Sequence, residues 1–309
     1  MGKATRVAFG EALARIGEKN KNIVVFDADL SVSTMSKYFA EKFPERFFEM
    51  GIAEANMIGT GAGIALQGKT AFICSFGTFL TGRFDQIKVS LNYGRANVKI
   101  VGTHSGIAIG DDGYSQMGLE DLALMRVLPK MTVLQPADAI ETECIVDFLA
   151  NKHEGPAYLR LTRQNTEDLF NASYHYNFGK GVILREGKDV AVFASGGVVA
   201  NALHAAEALI KDGISATVVN IHTIKPIDVE IITRLSKETQ KIVTVEDHQI
   251  VGGLGSAVAE TLSDNAPAKL LRIGIRDQYG ESGTPDELYE KHGLSTPGIA
   301  RQIREFVSH

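Results

Sequence analysis

The sequence of 309 residues contains only two cysteines, no tryptophan and no long apolar run. Cys74 and Cys144 lie far apart in the chain, so they predict neither a disulfide framework nor a Cys-x-x-Cys metal site. No window of about 18 uninterrupted apolar residues exists, so we expect no transmembrane helix. The first residues also lack the apolar segment of a signal peptide. These absences together favour a cytoplasmic protein that does not enter a membrane.

The sequence also lacks an excess of charge of either sign. It has 32 basic and 37 acidic residues, which are mixed along the chain and give a net charge of -5. Such a balance argues against binding of nucleic acid through a basic surface, whereas a few well-placed cations still suffice for a small anion. Its 44% of hydrophobic residues can form a real core. At about 150 residues per domain, the length predicts two domains or one large one.

Short apolar strands alternate with helical segments over most of the chain. The first predicted elements are a strand over 23–26, a helix over 54–66, a strand over 70–74, a helix over 78–91 and a strand over 98–103. This alternation is typical of parallel sheets with helices on both faces. We predict an α/β protein with two open-sheet domains, residues 1–165 and a smaller domain over 187–309, joined by a polar linker over 166–186. Glycine-rich turns at 195–197 and 252–255 predict either anion binding or close packing.

Glu54 lies among small and apolar residues at the predicted start of a helix. A carboxylate there can simply complement the helix dipole, but in an apolar site it can also exchange a proton with a bound ligand near neutral pH. Phe76 and Phe79 follow the next predicted strand and can be ordinary core residues. Together with Glu54, however, they offer the stacking face and the hydrogen-bonding carboxyl group that a flat heteroaromatic ring requires.

A second group of polar residues follows another predicted strand. The stretch 103–121 is rich in glycine and contains His104 and Asp112, a composition typical of functional loops, although turn geometry alone also explains it. Arg163 follows a later strand, where a guanidinium group can bind phosphate or carboxylate or form an ion pair. In open parallel sheets, ligands bind beyond the carboxyl ends of the strands, which is where these residues are expected.

In combination, these motifs resemble the C-terminal half of the transketolase family of thiamine-diphosphate enzymes, and the resemblance covers nearly the whole chain. GIAEANM (51–57) resembles the family segment with the catalytic glutamate, which implies that role for Glu54. GTFL (77–80) resembles the motif that stacks on the aminopyrimidine ring of the cofactor, which implies that contact for Phe79. The implied fold is a pyrimidine-binding domain followed by a smaller transketolase C-terminal α/β domain.

The resemblance also implies a set of contacts to a sugar phosphate, because residues 103–113 and the RQN motif at 163–165 match substrate-binding motifs of the family. The residues implied are Arg6, Ser33, His104, Asp112, Gln116 and Arg163, with His104 also in a catalytic role. Gln116 stands where the family commonly has a second histidine, and a glutamine can form hydrogen bonds but cannot transfer a proton. Ser105 stands where transketolases usually have aspartate.

The implied activity is transfer of a two-carbon ketol unit from a ketose phosphate to an aldose acceptor, as in pentose-phosphate metabolism. Glu54 would relay a proton to the thiamine diphosphate. The family's diphosphate and Mg²⁺ motif, GDG followed by an Asn pair, is absent, and GDDG at 110–113 is only superficially similar. We therefore expect no metal ligands in this chain and a separate N-terminal subunit that supplies the diphosphate-binding domain. An α2β2 assembly with the active site between subunits is the expected arrangement.

Three alternatives remain open. The β subunit of a 2-oxo-acid dehydrogenase E1 component has a similar length and also needs a partner. The implied phosphate contacts at Arg6, Ser33, His104 and Arg163 favour a sugar phosphate over that reading. A 1-deoxyxylulose-5-phosphate synthase usually has all its domains in one chain. A non-catalytic regulatory or binding subunit is disfavoured, because the chain has both the glutamate and the phenylalanine implied for the cofactor site.

Overall fold

The computed structural model describes residues 2–308, which form two β-sheets with helices on their faces. The strands are β1 (Ile23–Asp27), β2 (Phe47–Glu49), β3 (Thr70–Phe76), β4 (Val98–Thr103), β5 (Thr132–Leu134), β6 (Ala157–Arg160), β7 (Val182–Arg185), β8 (Val190–Ala194), β9 (Ala216–Asn220), β10 (Thr223–Lys225), β11 (Lys241–Gln249) and β12 (Lys269–Ile275). The first sheet has the order β10-β5-β6-β4-β3-β1-β2, and the second has the order β12-β11-β8-β9-β7. The predicted α/β fold with two sheets is therefore confirmed.

Helices connect most of these strands. The α-helices are α1 (Thr5–Lys19), α2 (Ser31–Thr34), α3 (Lys37–Lys42), α4 (Glu54–Leu66), α5 (Gly77–Thr81), α6 (Phe84–Gln86), α7 (Asp121–Val127), α8 (Ala139–Asn151), α9 (Val199–Ala208), α10 (Val229–Thr239), α11 (Leu254–Asn265), α12 (Pro285–Lys291) and α13 (Thr296–Ser308). Short 3-10 turns cover Pro44–Arg46, Ile107–Asp112, Tyr114–Gln116, Gly196–Val198 and Leu209–Asp212, and a π-helical segment covers Ile87–Asn92. Within residues 2–308, every helix is too short or too polar to cross a membrane.

Each sheet contains an antiparallel strand that the sequence analysis did not predict. β1 to β6 pair in parallel in the first sheet, but β10 pairs antiparallel with β5. In the second sheet, β7 pairs antiparallel with β9. The connection from β9 to β10 consists only of Ile221 and His222, and the chain passes there from the second sheet to the edge of the first. The prediction of parallel sheets is therefore wrong at β7 and β10.

The stretch 166–186, predicted as a linker, contains β7 and is fixed to the rest of the chain. Leu169 N and Phe170 N donate hydrogen bonds to Asp138 Oδ2 at the start of α8. Tyr174 Oη donates a hydrogen bond of 2.7 Å to Glu141 Oε1. The domain boundaries at 165 and 187 stay a prediction, but the segment between them is ordered by these contacts.

The helix predicted over 78–91 is not continuous. It is divided into α5, α6 and the π-helical segment, and Arg83 between α5 and α6 has a non-helical backbone with φ of -113° and ψ of 39°. The preceding Gly82 favours such a break because glycine is a poor helix former. Leu80 and Ile87 are nevertheless both buried. The apolar pattern that predicted one helix thus persists across the break.

The carboxyl ends of the parallel strands bring the predicted functional residues to one edge of the first sheet. β3 and β4 are neighbours with Phe76 paired to Thr103, so the segments that follow them lie side by side. β6 pairs with β4 and ends just before Arg163. The apolar residues of the loop after β4, such as Ile107 and Ile109, are buried in a core shared with the second sheet. The apolar part of the loop is thus enclosed, whereas Asp111 and Asp112 are exposed.

Candidate active site

Glu54 is the first residue of α4, and its side chain is almost fully buried. Ser75 Oγ, near the end of β3, donates a long hydrogen bond of 3.5 Å to Glu54 Oε1. The turn before the helix depends on Gly51, whose φ of +67° suits glycine. The carboxyl group therefore lies in an enclosed place beside the end of β3.

Three flat side chains stack in a row beyond the ends of β3 and β4. Phe79 in α5 stacks on Phe76 with ring centroids 5.4 Å apart and an interplanar angle of 11°. Phe76 stacks in turn on the imidazole ring of His104, with centroids 3.9 Å apart. Phe76 is buried, whereas Phe79 is only half-buried. The row therefore offers Phe79 as the ring available to a flat ligand.

His104 is a buried residue with an unusual backbone, since its φ is +57°. Its Nδ1 lies 2.9 Å from Thr103 Oγ1, and that hydroxyl group donates a hydrogen bond to the Ser75 carbonyl oxygen. This contact engages Nδ1 within the protein and leaves Nε2 as the ring nitrogen that can face a ligand. Burial, followed by the charges of Arg6 and Arg163, lowers the pKa of His104 to about 3. The ring is thus neutral at physiological pH.

Two arginines line a small cavity of about 270 Å³ beside His104. Arg6 Nη1 donates a hydrogen bond of 2.6 Å to the Ser33 carbonyl oxygen, and Arg163 Nη1 donates to the Ile109 carbonyl oxygen at 2.7 Å and to Asp112 Oδ2 at 3.3 Å. Burial and the neighbouring Arg163 both lower the pKa of Arg6. Like charges brought together and partly desolvated favour an anion between them. The full lining consists of Arg6, Ala108, Ile109, Asp111, Arg163, Gln164 and Pro285.

Asp27 organises the turn that contains Ser33, a role that the sequence analysis did not assign. Its buried carboxylate accepts hydrogen bonds from Leu30 N, Thr34 Oγ1 and Ser36 Oγ at 2.7 to 2.8 Å. Burial raises the pKa of Asp27 to about 6. A position at the end of a parallel strand is the sequence signal that could have identified Asp27 as a site residue. The same signal applies to Ser75 and Thr103, near the ends of β3 and β4, which the sequence analysis also did not identify.

The structure therefore brings Arg6, Ser33, His104 and Arg163 together, with Asp112 joined to them through its ion pair with Arg163. Gln116 is half-buried in the 3-10 turn Tyr114–Gln116 and is not part of the cavity lining. That turn borders a second cavity of about 560 Å³, which also touches α5 and the start of the segment after β12. Its lining residues are Thr78, Tyr114, Ser115, Met117, Leu119, Glu120, Gln249, Asp277, Gln278 and Tyr279.

The glycine-rich turns of the second sheet are filled by the protein's own side chains. A Cβ atom at Gly196 would lie 2.1 Å from Gln135 Nε2, so the side chain of Gln135 packs directly on this turn. At the start of α11, the Glu246 carboxylate accepts hydrogen bonds from Leu254 N and Gly255 N. Of the two predictions for these turns, close packing is confirmed and an open anion site is wrong.

Another cavity, of about 670 Å³, lies between α1, α8 and residues 174–178. It contains none of the predicted site residues. Among residues 2–308, no group of three or more His, Cys, Asp or Glu side chains could hold a metal ion. The chemistry predicted from the sequence is therefore concentrated at the carboxyl edge of the first sheet.

Comparison with known families assigns both halves of the chain. The profile of the family "Transketolase, pyrimidine binding domain" matches residues 1–168. The profile of "Transketolase, C-terminal domain" matches residues 179–299.

Individual relatives agree with these profiles. The chain is 47% identical over 98% of its length to a Methanocaldococcus jannaschii protein whose name assigns it provisionally as a transketolase C-terminal section, and 96% of that protein is covered. A solved structure described as an inactive β4 tetramer of a split-gene transketolase is 44% identical, with a TM-score of 0.90 over 100% of this chain and 99% of that one. Human transketolase is 36% identical over 99% of this chain, which spans only 49% of the human enzyme. The chain belongs to the transketolase family.

Proposed function

We propose that the chain is the C-terminal subunit of a split transketolase, which needs an N-terminal subunit to complete a thiamine-diphosphate site. The observation that carries this proposal is the pattern of lengths. The chain matches split-transketolase subunits from end to end, whereas it spans about half of human transketolase. The solved β4 relative is described as inactive, which supports the need for a partner.

The residues at the carboxyl edge fit the pyrimidine half of thiamine diphosphate. Phe79 offers a partly exposed ring for stacking, and the Glu54 carboxyl group can hold a proton at a ring nitrogen. Bound thiamine diphosphate supplies the nucleophilic carbon that is needed to break and form the carbon–carbon bond. Glu54 would fix the protonation state of the pyrimidine, and Ser75 would hold Oε1 of that carboxyl group in place.

The arginine cavity would hold the anionic end of the substrate. Arg6 and Arg163 bind the phosphate, while the neutral Nε2 of His104 accepts a hydrogen bond from a substrate hydroxyl group. Asp112 adds a hydrogen bond from the same loop, as Ser33 does from the turn after β1, whereas Gln116 lies outside the lining of this anion site. Fixing the remote phosphate aligns the reacting carbonyl group and so converts binding energy into rate.

The partner would supply the diphosphate-binding domain and the ligands of Mg²⁺ in an α2β2 heterotetramer. Ile52, only two residues before Glu54, is 82% exposed, and Val32 in the turn after β1 is 66% exposed. These two exposed apolar residues flank the candidate site and are available for contact with another subunit. A subunit seated there would close the pyrimidine site from the side of Glu54.

The relatives are named for different sugar substrates, so family membership alone does not determine the substrate of this chain. One, from Clostridium sp. strain MSTE9, is named as a subunit of a 6-deoxy-6-sulfo-D-fructose transketolase, and it is 41% identical over 97% of this chain. Both a sulfonate and a phosphate are anions that two arginines can bind. We propose a phosphorylated ketose of pentose-phosphate metabolism as the substrate.

We also propose a cytoplasmic location, because the two cysteines, Cys74 and Cys144, are free thiols, as is usual in a reducing compartment.

Reconstitution tests this proposal. The chain is mixed with an N-terminal transketolase subunit, Mg²⁺ and thiamine diphosphate, and ketol transfer from xylulose 5-phosphate is measured. Glu54→Gln keeps the shape but removes the exchangeable carboxyl proton, so the turnover should fall by about 10² to 10⁴-fold. Glu141→Gln is the matched control, because Glu141 is also buried in the first turn of a helix but bonds to Ala137, Tyr174 and Asn220 rather than to any candidate-site residue. Activity of this chain alone, or unchanged turnover in Glu54→Gln, would contradict the proposal.

A further inference from the structure

The loop that carries His104 has a costly backbone conformation. His104 has φ of +57°, and Gly106, Gly110 and Gly113 have φ between +83° and +92°. A non-glycine residue in this region persists only where its surroundings fix it firmly. The contacts that fix the loop therefore determine where the imidazole ring of His104 lies.

Asp247, from the second sheet, makes one of these contacts. It lies in β11 and is 4% exposed, and its Oδ1 accepts a hydrogen bond of 2.8 Å from Ile107 N. A Cβ atom at Gly106 would lie 2.2 Å from Asp247 Oδ2. The carboxylate is thus seated directly against the left-handed turn, in space that only a glycine leaves free.

The same carboxylate reaches the segment that carries Arg163. Tyr289 Oη donates a hydrogen bond of 3.1 Å to Asp247 Oδ2. Gln164 Nε2 donates in turn to Tyr289 Oη at 3.0 Å, and Gln164 directly follows Arg163 in the chain. One buried group of the second sheet is therefore connected to two of the segments that line the arginine cavity, those of Ile107 and of Gln164.

We propose that Asp247 is a positioning residue, which sets the places of His104 and Arg163 from the second domain without touching substrate itself. The significance for catalysis rests on the proposed function, because it requires these two residues to contact the substrate. The positioning itself rests only on the contacts of Asp247 with Ile107 and Gly106 and on the path through Tyr289. Its consequence is that the C-terminal domain acts on the active site through β11.

The adjacent Glu246 provides a matched control. It lies in the same strand, is equally buried and also accepts hydrogen bonds from two backbone N–H groups, at 2.7 and 2.8 Å. Those groups belong to Leu254 and Gly255 of the second domain itself, so Glu246 has no bond to the loop of His104. A general loss of stability should follow either substitution, whereas displacement of His104 should follow only a change at Asp247.

The test compares Asp247→Ala, Asp247→Asn and Glu246→Ala in the full chain. In the reconstituted complex, Asp247→Ala should lower kcat/KM for the phosphorylated donor by about 10- to 100-fold, with a raised KM and unchanged thiamine diphosphate affinity, because a misplaced contact group costs this much. Asp247→Asn keeps one oxygen for Ile107 N and should recover part of the loss. Glu246→Ala should leave KM unchanged at a temperature where it is folded.

A readout without turnover separates this inference from the proposed function. The ring resonance of His104, identified by its loss in His104→Gln, is recorded by NMR of ¹³C-histidine-labelled chain. It should shift in Asp247→Ala and in Asp247→Asn but not in Glu246→Ala. Unshifted resonances in both Asp247 variants would overturn the inference, and Asp247→Asn decides alone if Asp247→Ala does not fold. Absence of ketol transfer in the wild-type complex would overturn the proposed function while the resonance still decides the role of Asp247.

Discussion

The two-arginine cavity leads to a sharp prediction for the substitution Arg163→Met. Arg163 uses Nη1 for the Ile109 carbonyl oxygen and for Asp112, and its side chain is 40% exposed. The nearby charge of Arg163 helps to lower the pKa of Arg6. Methionine removes that charge while keeping much of the apolar stem. The folded chain without ligand should therefore keep its stability, whereas its affinity for phosphate should fall.

The size of the effect follows from the hydrogen bonds that Arg163 can offer to an anion. A hydrogen bond to a charged group contributes about 1.5 to 3 kcal/mol, which corresponds to about 10- to 150-fold in affinity. At a phosphate concentration about 100 times the wild-type Kd, binding stabilises the fold by about 2.7 kcal/mol. At the same concentration, the weakened variant should gain only about 0.3 to 1.4 kcal/mol. For a protein of this size, the difference corresponds to several degrees in Tm.

The assay is thermal unfolding of the chain in sodium phosphate and in sodium chloride at equal ionic strength. Arg304→Met is the matched control, because Arg304 is 46% exposed and paired with Asp212, much as Arg163 is paired with Asp112. The phosphate-dependent rise in Tm should persist in Arg304→Met and shrink in Arg163→Met. An equal rise in all three proteins would refute the assignment of this cavity as a phosphate site, since phosphate would then act as a general stabilising salt.

Two further predictions concern buried polar groups. Arg160 and Asp121 form an ion pair that is at most 1% exposed, with bonds of 2.8 and 3.0 Å. Arg160→Met leaves the Asp121 charge buried without its partner, so it should cost about 3 to 5 kcal/mol of unfolding free energy in urea titrations, and a loss below about 1 kcal/mol would contradict this. Burial raises the pKa of Glu141 to about 7, so the folded state holds an extra proton between about pH 4.5 and 7 and loses stability as the pH rises through that range. Thermal unfolding from pH 5 to 8 should show a shallower decline in Glu141→Gln, and equal slopes would count against the shift.

Much of the carboxyl edge of the first sheet could be predicted from the sequence, because local sequence patterns determine its helices and strands. The helix over 54–66 and the strand over 98–103 match α4 and β4, since apolar periodicity and small residues determine both. The short strand β10 could not be predicted in this way, because its three residues pair with β5 across a long sequence separation. The break at Arg83 was likewise hidden, since the apolar pattern continues through it.

The contacts around the site were harder to predict than its residues. Motif resemblance pointed to His104 and Arg163, but it gave no sign that one carboxylate from β11 would join their segments. A signal was present in Glu246 and Asp247, two consecutive acids at the end of an apolar strand. Buried acids need partners, so such a pair predicts contacts to backbone or cationic groups. The sequence does not reveal that Ile107 N is a partner of Asp247, because the two residues lie far apart in the chain.

The arrangement of the candidate-site residues costs conformational and electrostatic free energy before any ligand binds. His104 has a left-handed backbone, which costs on the order of 1 to 3 kcal/mol, and Arg6 loses solvent beside a second cation. The contacts that offset these costs include buried groups between the sheets, because Asp247 accepts from the His104 loop and Arg160 donates to the Asp247 carbonyl oxygen. Groups held in place in advance need little reorganisation when charge arrives. Binding of an anionic substrate should therefore relieve the repulsion between cations without rebuilding the loop, and the second sheet contributes to the site by holding that loop.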